Sequence, residues 1–332
     1  MKAAFIQRTG PASSLEFGDL PTPSPGPGEV LLRVHAASIN PIDTYIRSGA
    51  VEFDLPLPFI PGSDAAGVVE AVGEGVQRCA VGDRVWCTNQ GLLGRQGTLA
   101  EQIVVSDQWC FSLPDEVSFD DAAASALVGV TAHLGLFREA ILQAGETILV
   151  IGGSGGVGSM VVQMAKVTGA RVIATAGSEA KCERVRDLGA DVVINYNESS
   201  IGQVVGDAVP KGVNVFWETR REPDFDLAVE LMAPRGRMVL MAGRDARPTF
   251  PVGPFYVKEC SLHGFVMFKA TPVEMRTAAD EISRWLATGK IRSNIAKTFP
   301  LAKAAEAHQL QEQATLEGGS DLQGKIVVQM TQ

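Results

Sequence analysis

The sequence predicts an α/β protein built from two domains of different architecture. The chain has 332 residues, about twice the length of a typical domain of roughly 150 residues. Over the first 125 residues or so, short apolar and β-branched runs are separated by turn residues, which is typical of a β-rich domain. From about Ser118 onwards, helical patterns alternate with apolar strands, and this alternation predicts a parallel sheet covered on both faces.

Composition and charge exclude several classes of protein. Hydrophobic residues make up 45% of the chain and charged residues 20%, which is enough apolar material for large buried cores. With 29 Lys and Arg against 38 Asp and Glu, the formal charge of −9 disfavours binding to nucleic acid or to an anionic membrane. No apolar stretch approaches the roughly 20 residues needed to cross a bilayer. The apolar run in MKAAFIQRTG is also too short for a secretion signal, so we expect neither a nucleic-acid nor a membrane partner.

The cysteines and histidines indicate a cytoplasmic protein without a metal site. The five cysteines are Cys79, Cys87, Cys110, Cys182 and Cys260. An odd number without a C-x-x-C pair fits neither a disulfide framework nor a structural zinc site, so we expect reduced thiols in the cytoplasm. The four histidines are His35, His133, His263 and His308. They form no H-x-x-H pattern, and metal chemistry is therefore disfavoured.

In the first domain, five runs are expected to form strands. In chain order they are KAAFIQ, GEVLLRVHAAS, GVVEAVG, GDRVWCT and TLAEQIVV. Between the first two lies the proline-rich segment 21–28, PTPSPGPG. Such a segment is either a polyproline recognition motif or an extended connector, and its place between two strand signals favours the connector.

In the second domain, helices and strands alternate. Asp120 and Asp121 precede the helical pattern AAASALVGVTAHLGLF, where acids near a helix start suit the helix dipole. Residues 147–151, TILVI, are a buried-strand run, and the helix pattern that follows stops at Gly169. The later strand runs are RVIATAG, DVVINY, NVFWET, RMVLMAG and, near the carboxy terminus, KIVVQM; CERVRDL is a helical run that ends at Gly189.

A glycine-rich turn lies between that strand and that helix. Residues 153–158, GSGGVG, match G-x-G-x-x-G in the strand–turn–helix context that the motif requires. The glycines permit a tight turn, close approach of backbone to a pyrophosphate and close helix packing, while the helix amino terminus offers N–H groups and positive dipole. The segment is either a dinucleotide site or a turn without a ligand, and its context favours the dinucleotide.

The residues after the next strand indicate which dinucleotide. An NAD site usually carries an acid about 20 residues on, for the ribose 2′-hydroxyl, but the strand ends in residues 174–178, ATAGS, without one. Ser178 and Lys181 lie where a 2′-phosphate would sit, with Arg184 one helical step further, and Glu179 can point away. Lys181 either binds that phosphate or solvates a helix face. We favour the phosphate and therefore expect NADPH.

Together these motifs resemble the zinc-independent quinone oxidoreductases of the medium-chain dehydrogenase/reductase superfamily, of which ζ-crystallin is a member. The segments that show the resemblance are INPIDTYIRSG (39–49), PFIPGSDAAGVVEAVGEGV, VGDRV, GVTA (129–132) and GGSGGVG. The resemblance implies a GroES-like β-rich catalytic domain, residues 1–125 and 268–332, interrupted by a Rossmann domain, residues 126–267, that binds NADPH. It also implies a homodimer joined through the Rossmann sheet edges.

This chain lacks the zinc-ligand residues of the zinc-dependent alcohol dehydrogenases in the same superfamily. Those proteins have a Cys where this chain has residues 40–43, a Gly-His-Glu where it has residues 62–64, GSD, and a cysteine lobe where it reads CTNQGLLGRQG. Without these ligands a Lewis-acid metal is not expected to polarise a carbonyl. The acceptor must then already be electrophilic, as quinones and α,β-unsaturated carbonyls are.

The resemblance assigns site residues one by one. Tyr45, Asn40 and Asp43 would be catalytic, with Tyr45 donating a hydrogen bond to the substrate oxygen on which charge develops, although Asp43 could equally hold a turn after Pro41. Arg47 would anchor a cofactor phosphate or a nearby acid. The implied cofactor-binding residues are Ile42, Thr131, Ser154, Gly155, Gly156, Val157, Gly177, Ser178, Lys181, Tyr196, Gly243, Met267 and Phe268. For Tyr196 the alternative is an aromatic that packs on the end of the sheet.

Two segments depart from the family pattern. Relatives have an aspartate and small residues where this chain reads FWETRREP (216–223), which is either a variable loop or a place where Arg220 or Arg221 contacts a cofactor phosphate or an acidic substrate. Near the carboxy terminus, residues 322–325, LQGK, lack an arginine that relatives often have near the 2′-phosphate.

The leading functional hypothesis is NADPH-dependent reduction of quinones without a metal. The alternatives are NADPH-dependent reduction of an activated double bond in an enone, alkenal or enoyl thioester, and a non-catalytic NADPH-binding protein.

Overall fold

The computed structural model describes residues 1–317 and 322–330. The chain divides into two compact units: the first unit is Met1–Leu127 with Ala270–Gln332, and the second unit is Val128–Lys269. The strands of the described residues are β1 (Lys2–Phe5), β2 (Glu16–Asp19), β3 (Glu29–Ile39), β4 (Asp64–Val72), β5 (Arg84–Cys87), β6 (Gln102–Ser106), β7 (Cys110–Ser112), β8 (Thr147–Val150), β9 (Arg171–Ala176), β10 (Val192–Asn195), β11 (Val213–Glu218), β12 (Met232–Leu240), β13 (Ser261–Gly264), β14 (Ile295–Pro300) and β15 (Lys325–Gln329). The helices are α1 (Pro41–Ser48), α2 (Phe119–His133), α3 (Gly156–Thr168), α4 (Glu179–Asp187), α5 (Ile201–Ala208), α6 (Phe225–Leu231), α7 (Val252–Val257), α8 (Pro272–Ala287) and α9 (Ala304–Glu312).

The first unit is built around the long strand β3. Its sheet has the order β14-β15-β3-β4-β5-β7, with β6 also paired to β3, and β1 and β2 form a separate pair. Along the first eight residues of β3, buried positions alternate with more exposed ones, as expected of a strand with one face on a core. Ile39, the last residue of β3, lies opposite Ile326 of the antiparallel strand β15. This register brings Lys325 next to the point where β3 ends and α1 begins.

The second unit contains a parallel sheet with the strand order β10-β9-β8-β11-β12-β13. Each described pair in it is parallel, and Leu149, Ile173, Phe216 and Met238 are buried in its core. The strand order changes direction between β8 and β11, which is the switch point where sheets of this type bind ligands at the carboxyl ends of their strands. The predicted α/β class and doubly wound parallel sheet are confirmed.

Element ends differ from the sequence prediction in a few places. The helix expected over residues 122–137 begins at Phe119 and ends at His133, and it continues as a wider π-helical turn over Leu134–Glu139. The strand expected over residues 98–105 is β6, which begins only at Gln102. Within the described residues, no helix is long and apolar enough to cross a membrane.

Candidate active site

Helix α1 begins where strand β3 ends, and its first turn is held by side chains. Asn40 has extended backbone angles, Pro41 occupies the first helical position, and Gly49 ends the helix with a φ of 83°. The Asn40 N–H donates to Asp43 Oδ2 at 2.8 Å, and the Asp43 N–H donates to the Asn40 carbonyl at 3.0 Å. The PID sequence after Asn40 therefore fixes a short helix on which Ile42 and Tyr45 are half-buried.

A buried polar network surrounds this turn. Its members are Ser38, Asn40, Asp43, Ser63, Asp64, Thr88 and Lys325. The Lys325 ammonium donates to the Ile39 carbonyl at 2.8 Å and to Asn40 Oδ1 at 2.5 Å. The other end of the same amide, Asn40 Nδ2, donates to Asp64 Oδ2 at 2.8 Å. Both ends of the Asn40 side chain are thus engaged by charged groups.

The two carboxylates of the polar network have further partners. Asp64 also accepts from Ser38 Oγ at 3.0 Å and from Thr88 Oγ1 at 2.7 Å. Asp43 accepts from Ser63 Oγ at 2.5 Å. Buried carboxylates are tolerated when their oxygens are hydrogen-bonded in this way.

Burial shifts the titration of this network. Burial raises the pKa of Asp43 to about 7, with a smaller contribution in the same direction from the charge of Asp64, while the hydrogen bond from Ser63 lowers it. Burial also raises the pKa of Asp64 and lowers the pKa of Lys325, and each of these two charges opposes the shift of the other. The single positive charge of Lys325 is therefore the countercharge for two buried carboxylates, those of Asp43 and Asp64.

The predicted catalytic residues consequently have different surroundings. Asn40 and Asp43 are 0% and 2% exposed, and the bonds described above engage their side chains. Tyr45 is half-buried one turn further along α1. The geometry favours the turn-holding alternative for Asp43, and a direct substrate contact of Asn40, Asp43 or Tyr45 stays a prediction.

Arg47 is bonded to an acid. Its fully buried guanidinium forms an ion pair with Glu312 of α9 and donates to the Gly10 carbonyl at 2.6 Å. His308 of the same helix is also fully buried, and burial, assisted by the charge of Arg47, lowers its pKa to about 3. Of the two alternatives that the sequence left open for Arg47, the structure favours the nearby acid.

In the second unit, the glycine turn (residues 152–158) leaves backbone uncovered. A Cβ on Gly158 would overlap the Gly152 carbonyl oxygen, and one on Gly153 would lie 2.9 Å from the Ala174 Cβ. Gly155, the residue before α3, is exposed, and a Cβ there would meet only the Gly152 carbonyl oxygen, at 3.5 Å. Ser154, Gly156 and Val157 are half-buried around it. This arrangement of missing side chains and helix amino terminus fits the pyrophosphate of a dinucleotide.

The end of β9 gathers hydroxyl groups and a cation. A Cβ on Gly177 would overlap the Tyr196 hydroxyl, so Tyr196, which is 52% exposed, rests against this glycine. Ser178 begins α4 and accepts from the Lys181 N–H at 3.4 Å. In the described part of the chain, the Lys181 ammonium has no recorded hydrogen-bond or ion-pair partner. Glu179 pairs with Arg186 at 2.6 Å instead of facing this group. The hydroxyls of Ser178 and Tyr196 at this glycine, with Lys181 in the first turn of α4, fit a 2′-phosphate.

The departure at residues 216–223 is accommodated inside the second unit. Trp217 is fully buried, and its ring occupies the space that a side chain at Gly135 would need. The fully buried Glu218 carboxylate accepts from Arg220 Nε at 3.0 Å and from Nη2 at 2.7 Å. Arg220 therefore neutralises a buried acid of its own strand end, and Arg221 is exposed.

The remaining predicted cofactor residues follow strand or helix ends of the second unit. Thr131 lies near the end of α2 and Met267 follows β13; they are 5% and 4% exposed, and Phe268 is half-buried. Gly243 follows β12 with a φ of 82°, and a Cβ there would lie 2.7 Å from the Arg221 carbonyl oxygen. A cofactor contact of each of these residues stays a prediction.

Sequence reasoning missed part of the polar network. Ser63 and Asp64 stood out only as positions that lack zinc ligands, and Lys325 only within a segment that lacks an arginine. The available signal was a lysine directly before the apolar run IVV of β15, since a lysine beside a buried strand requires a partner. Among residues 1–317 and 322–330, no group of three or more His, Cys, Asp or Glu is arranged to hold a metal ion.

Two family matches define the class of protein. Residues 26–115 match the alcohol dehydrogenase GroES-like domain, and residues 156–284 match the zinc-binding dehydrogenase family. These matches confirm the predicted pairing of a GroES-like and a Rossmann-type domain, which is that of a medium-chain dehydrogenase/reductase.

Comparisons with individual proteins show to which family of this superfamily the chain belongs. The quinone oxidoreductase of Rattus norvegicus is 35% identical over 311 residues, which cover 93% of each chain. A crystal structure of an NAD-dependent alcohol dehydrogenase covers 100% of both chains with a TM-score of 0.90 and 32% identity. The Escherichia coli quinone oxidoreductase complexed with NADPH has a TM-score of 0.86 and 28% identity, and the match covers 99% of this chain and 100% of that one. The present chain belongs to the quinone oxidoreductase family and is an oxidoreductase.

Proposed function

We propose that this protein transfers hydride from NADPH to quinones without a metal. The observation that best supports the proposal is the polar network of the first unit. At the positions where zinc-dependent relatives have ligands, Asn40, Asp43, Ser63 and Asp64 bond to one another and to Lys325. A zinc ligand must point a lone pair at the ion, whereas these four side chains are buried and directed at partners within the protein.

The proposed cofactor is NADPH, bound by the second unit. The glycine turn supports binding of the pyrophosphate, and Ser178, Lys181 and Tyr196 support binding of the 2′-phosphate. One solved relative is named as NAD-dependent, so the preference for NADPH rests on these three side chains. The absence of an acid at the tip of β9 also favours it, because an acid there would repel a phosphate.

NADPH, when bound, would supply the hydride, and Tyr45 is the side chain proposed to orient the acceptor. As hydride arrives, negative charge develops on the acceptor oxygen, and we propose that the half-buried Tyr45 hydroxyl donates a hydrogen bond to that oxygen. In this proposal Tyr45 donates a hydrogen bond and keeps its proton, and the reduced acceptor takes its proton from solvent. A simple ketone is less electrophilic than a quinone and would have no Lewis acid to activate it here, so we expect no turnover of one.

The proposal is tested by following NADPH oxidation with quinones, enones and a simple ketone, with EDTA present throughout. Oxidation with quinones in EDTA is the expected result. Oxidation only with enones would move the substrate class to activated double bonds, and abolition by EDTA would overturn the metal-free mechanism. NADPH binding without oxidation by any acceptor would favour a non-catalytic protein. Tyr45→Phe is the matched variant: slower quinone reduction at unchanged NADPH affinity is expected of a lost donor.

We propose a cytoplasmic homodimer joined through the second unit. Strand β13 is at the edge of the described parallel sheet. The apolar side chains exposed in and near it are Val252, Tyr256, Val257, Leu262 and Val266. A sheet edge flanked by apolar surface is typical of a surface that pairs with another chain. Sedimentation of Val257→Glu tests it: a shift towards the monomer is expected, and an unchanged dimer would place the interface elsewhere.

A further inference from the structure

Lys325 is a buried cation that lies against the side chain of Asn40. It is 5% exposed and begins β15. Both described acceptors of its ammonium, the Ile39 carbonyl and Asn40 Oδ1, lie at the junction of β3 and α1. Burying an ammonium is costly, so its retention at this junction calls for a specific role.

The ammonium and Asp64 together fix the Asn40 amide. An ammonium only donates hydrogen bonds and an ionised carboxylate only accepts them. Asn40 Oδ1 faces Lys325 and Asn40 Nδ2 faces Asp64. Flipping the amide would place its oxygen against the carboxylate and its NH2 group against the ammonium, which replaces two attractive contacts by two repulsive ones.

The fixed Asn40 then holds the start of α1. Its backbone N–H and carbonyl both bond to Asp43, the third residue of that helix. Tyr45 follows two residues later in the same eight-residue helix. In so short a helix the first turn is a large part of the whole, and the direction of the helix depends on it.

From this geometry we propose that Lys325 is a positioning residue: it orients the Asn40 side chain, and through Asn40 it holds the helix that presents Tyr45 to the substrate. The inference deepens the proposed function and rests on it for the role of Tyr45. The coupling of Lys325 to Asn40 does not depend on which acceptor is reduced.

A double-mutant cycle tests the coupling. Lys325→Met is expected to lower kcat for quinone reduction by about 30-fold, while the dissociation constant of NADPH changes less than about twofold because, Ile42 apart, its proposed contacts lie in the second unit. In an Asn40→Ala background, the same substitution is expected to cost less than about threefold, since the side chain that Lys325 orients is gone and only its bond to the Ile39 carbonyl remains. Lys325→Arg, which keeps the charge, is expected to restore part of kcat.

Hydrogen exchange supplies a readout that is independent of turnover. Amides of residues 42–48 are expected to exchange about tenfold faster in Lys325→Met than in the wild type, with no further acceleration when Asn40→Ala is added. Ser38→Ala is the matched control, because it removes one hydrogen bond to Asp64 and leaves both ends of the Asn40 amide engaged. If Lys325→Met does not fold, Lys325→Gln, which keeps a donor without the charge, takes its place in the same cycle.

The outcomes separate this inference from the proposed function. Independent, additive effects of Lys325→Met and Asn40→Ala, or exchange of α1 that matches the wild type, would overturn the positioning role. A wild type that reduces no acceptor would overturn the proposed function alone, because the exchange cycle would still report the coupling of Lys325 to α1.

Discussion

In the first unit the candidate site is filled with polar side chains. In the second unit the candidate site is a turn of glycines, which leaves the backbone without side chains. The polar network packs seven polar side chains around the start of α1 and bonds them to one another. The glycine turn instead leaves backbone without side chains: a Cβ at Gly158 would overlap the Gly152 carbonyl oxygen, and Gly155, directly before α3, is exposed. The contrast suits the two tasks that we propose: exposed backbone would bind a charged cofactor, and a network bonded within itself would hold a hydrogen-bond donor without offering ligands to a metal.

The largest expected effect comes from adding a side chain to the glycine turn of the second unit. Gly158→Val places a branched side chain on the Gly152 carbonyl oxygen, so the turn must move. We expect a loss of about 4 kcal/mol or more in the free energy of unfolding, together with loss of measurable NADPH binding. Denaturant unfolding and cofactor titration measure the two effects.

Gly206→Ala is the matched control, since a Cβ at that helical position of α5 meets nothing within 4 Å. It should stabilise the protein by about 0.5–1 kcal/mol. Wild-type stability in Gly158→Val would show that the turn does not need its glycine.

The polar network is tested by its dependence on pH. The folded-state pKa of Asp43, about 7, lies above the ordinary value of 3.8, so the folded state binds more protons than the unfolded state between these values. The stabilisation that Asp43 gives is complete below pH 3.8 and is lost as the pH rises through 7. At about 1.4 kcal/mol per pKa unit, the loss approaches about 4 kcal/mol.

Asp43→Asn should remove this decline, so its stability relative to the wild type should increase between pH 4 and pH 8. Urea unfolding across that range measures the difference. The exposed Asp115 supplies the control, because Asp115→Asn changes a carboxylate that is 93% exposed. Parallel curves for wild type and Asp43→Asn would contradict the proposed burial of the carboxylate.

Arg220 tests whether the departure at residues 216–223 is structural. Arg220→Ala leaves the fully buried Glu218 carboxylate without its cation, and we expect a loss of about 2–3 kcal/mol, since removing one partner of a buried pair exposes the desolvation cost of the other. Thermal or urea unfolding measures it. Arg221→Ala, at the exposed neighbour, should change stability by less than about 0.5 kcal/mol; equal losses in both variants would contradict the role of the Glu218 pair.

Lys181 gives the smallest expected effect and tests cofactor choice. Lys181→Ala removes the cation that we propose pairs with a 2′-phosphate, so we expect the KM for NADPH to rise about tenfold, which corresponds to about 1.4 kcal/mol, with little change for NADH. Steady-state kinetics with both cofactors measure it. Arg186→Ala is the control, because Arg186 already pairs with Glu179. Equal effects of Lys181→Ala on both cofactors would show that the ammonium does not contact the 2′-phosphate.

Prediction from sequence succeeded where a feature is local. The strand Thr147–Val150, the glycine turn and the helix ending at Gly169 lie within about two dozen residues, and their pattern of apolar and glycine positions is enough to identify them. The helix start at Asn40 and Pro41 is equally local, but the sequence did not indicate which groups hold it. Lys325 is 285 residues away from Asn40, and only the pairing of β15 with β3 brings them together.

The sequence by itself determined the α/β class, the position of the glycine turn and the absence of the residue types that hold zinc in zinc-dependent relatives, because each depends on neighbouring residues or on their absence. The tertiary structure decided what takes the place of those ligands. It placed Asn40 between a buried ammonium and a buried carboxylate, paired Arg47 with Glu312, and enclosed Trp217 over Gly135. These contacts depend on which residues, distant in sequence, are buried together. An unpaired charge is costly in such a low-dielectric interior, and a linear sequence does not show which groups the packing brings together there.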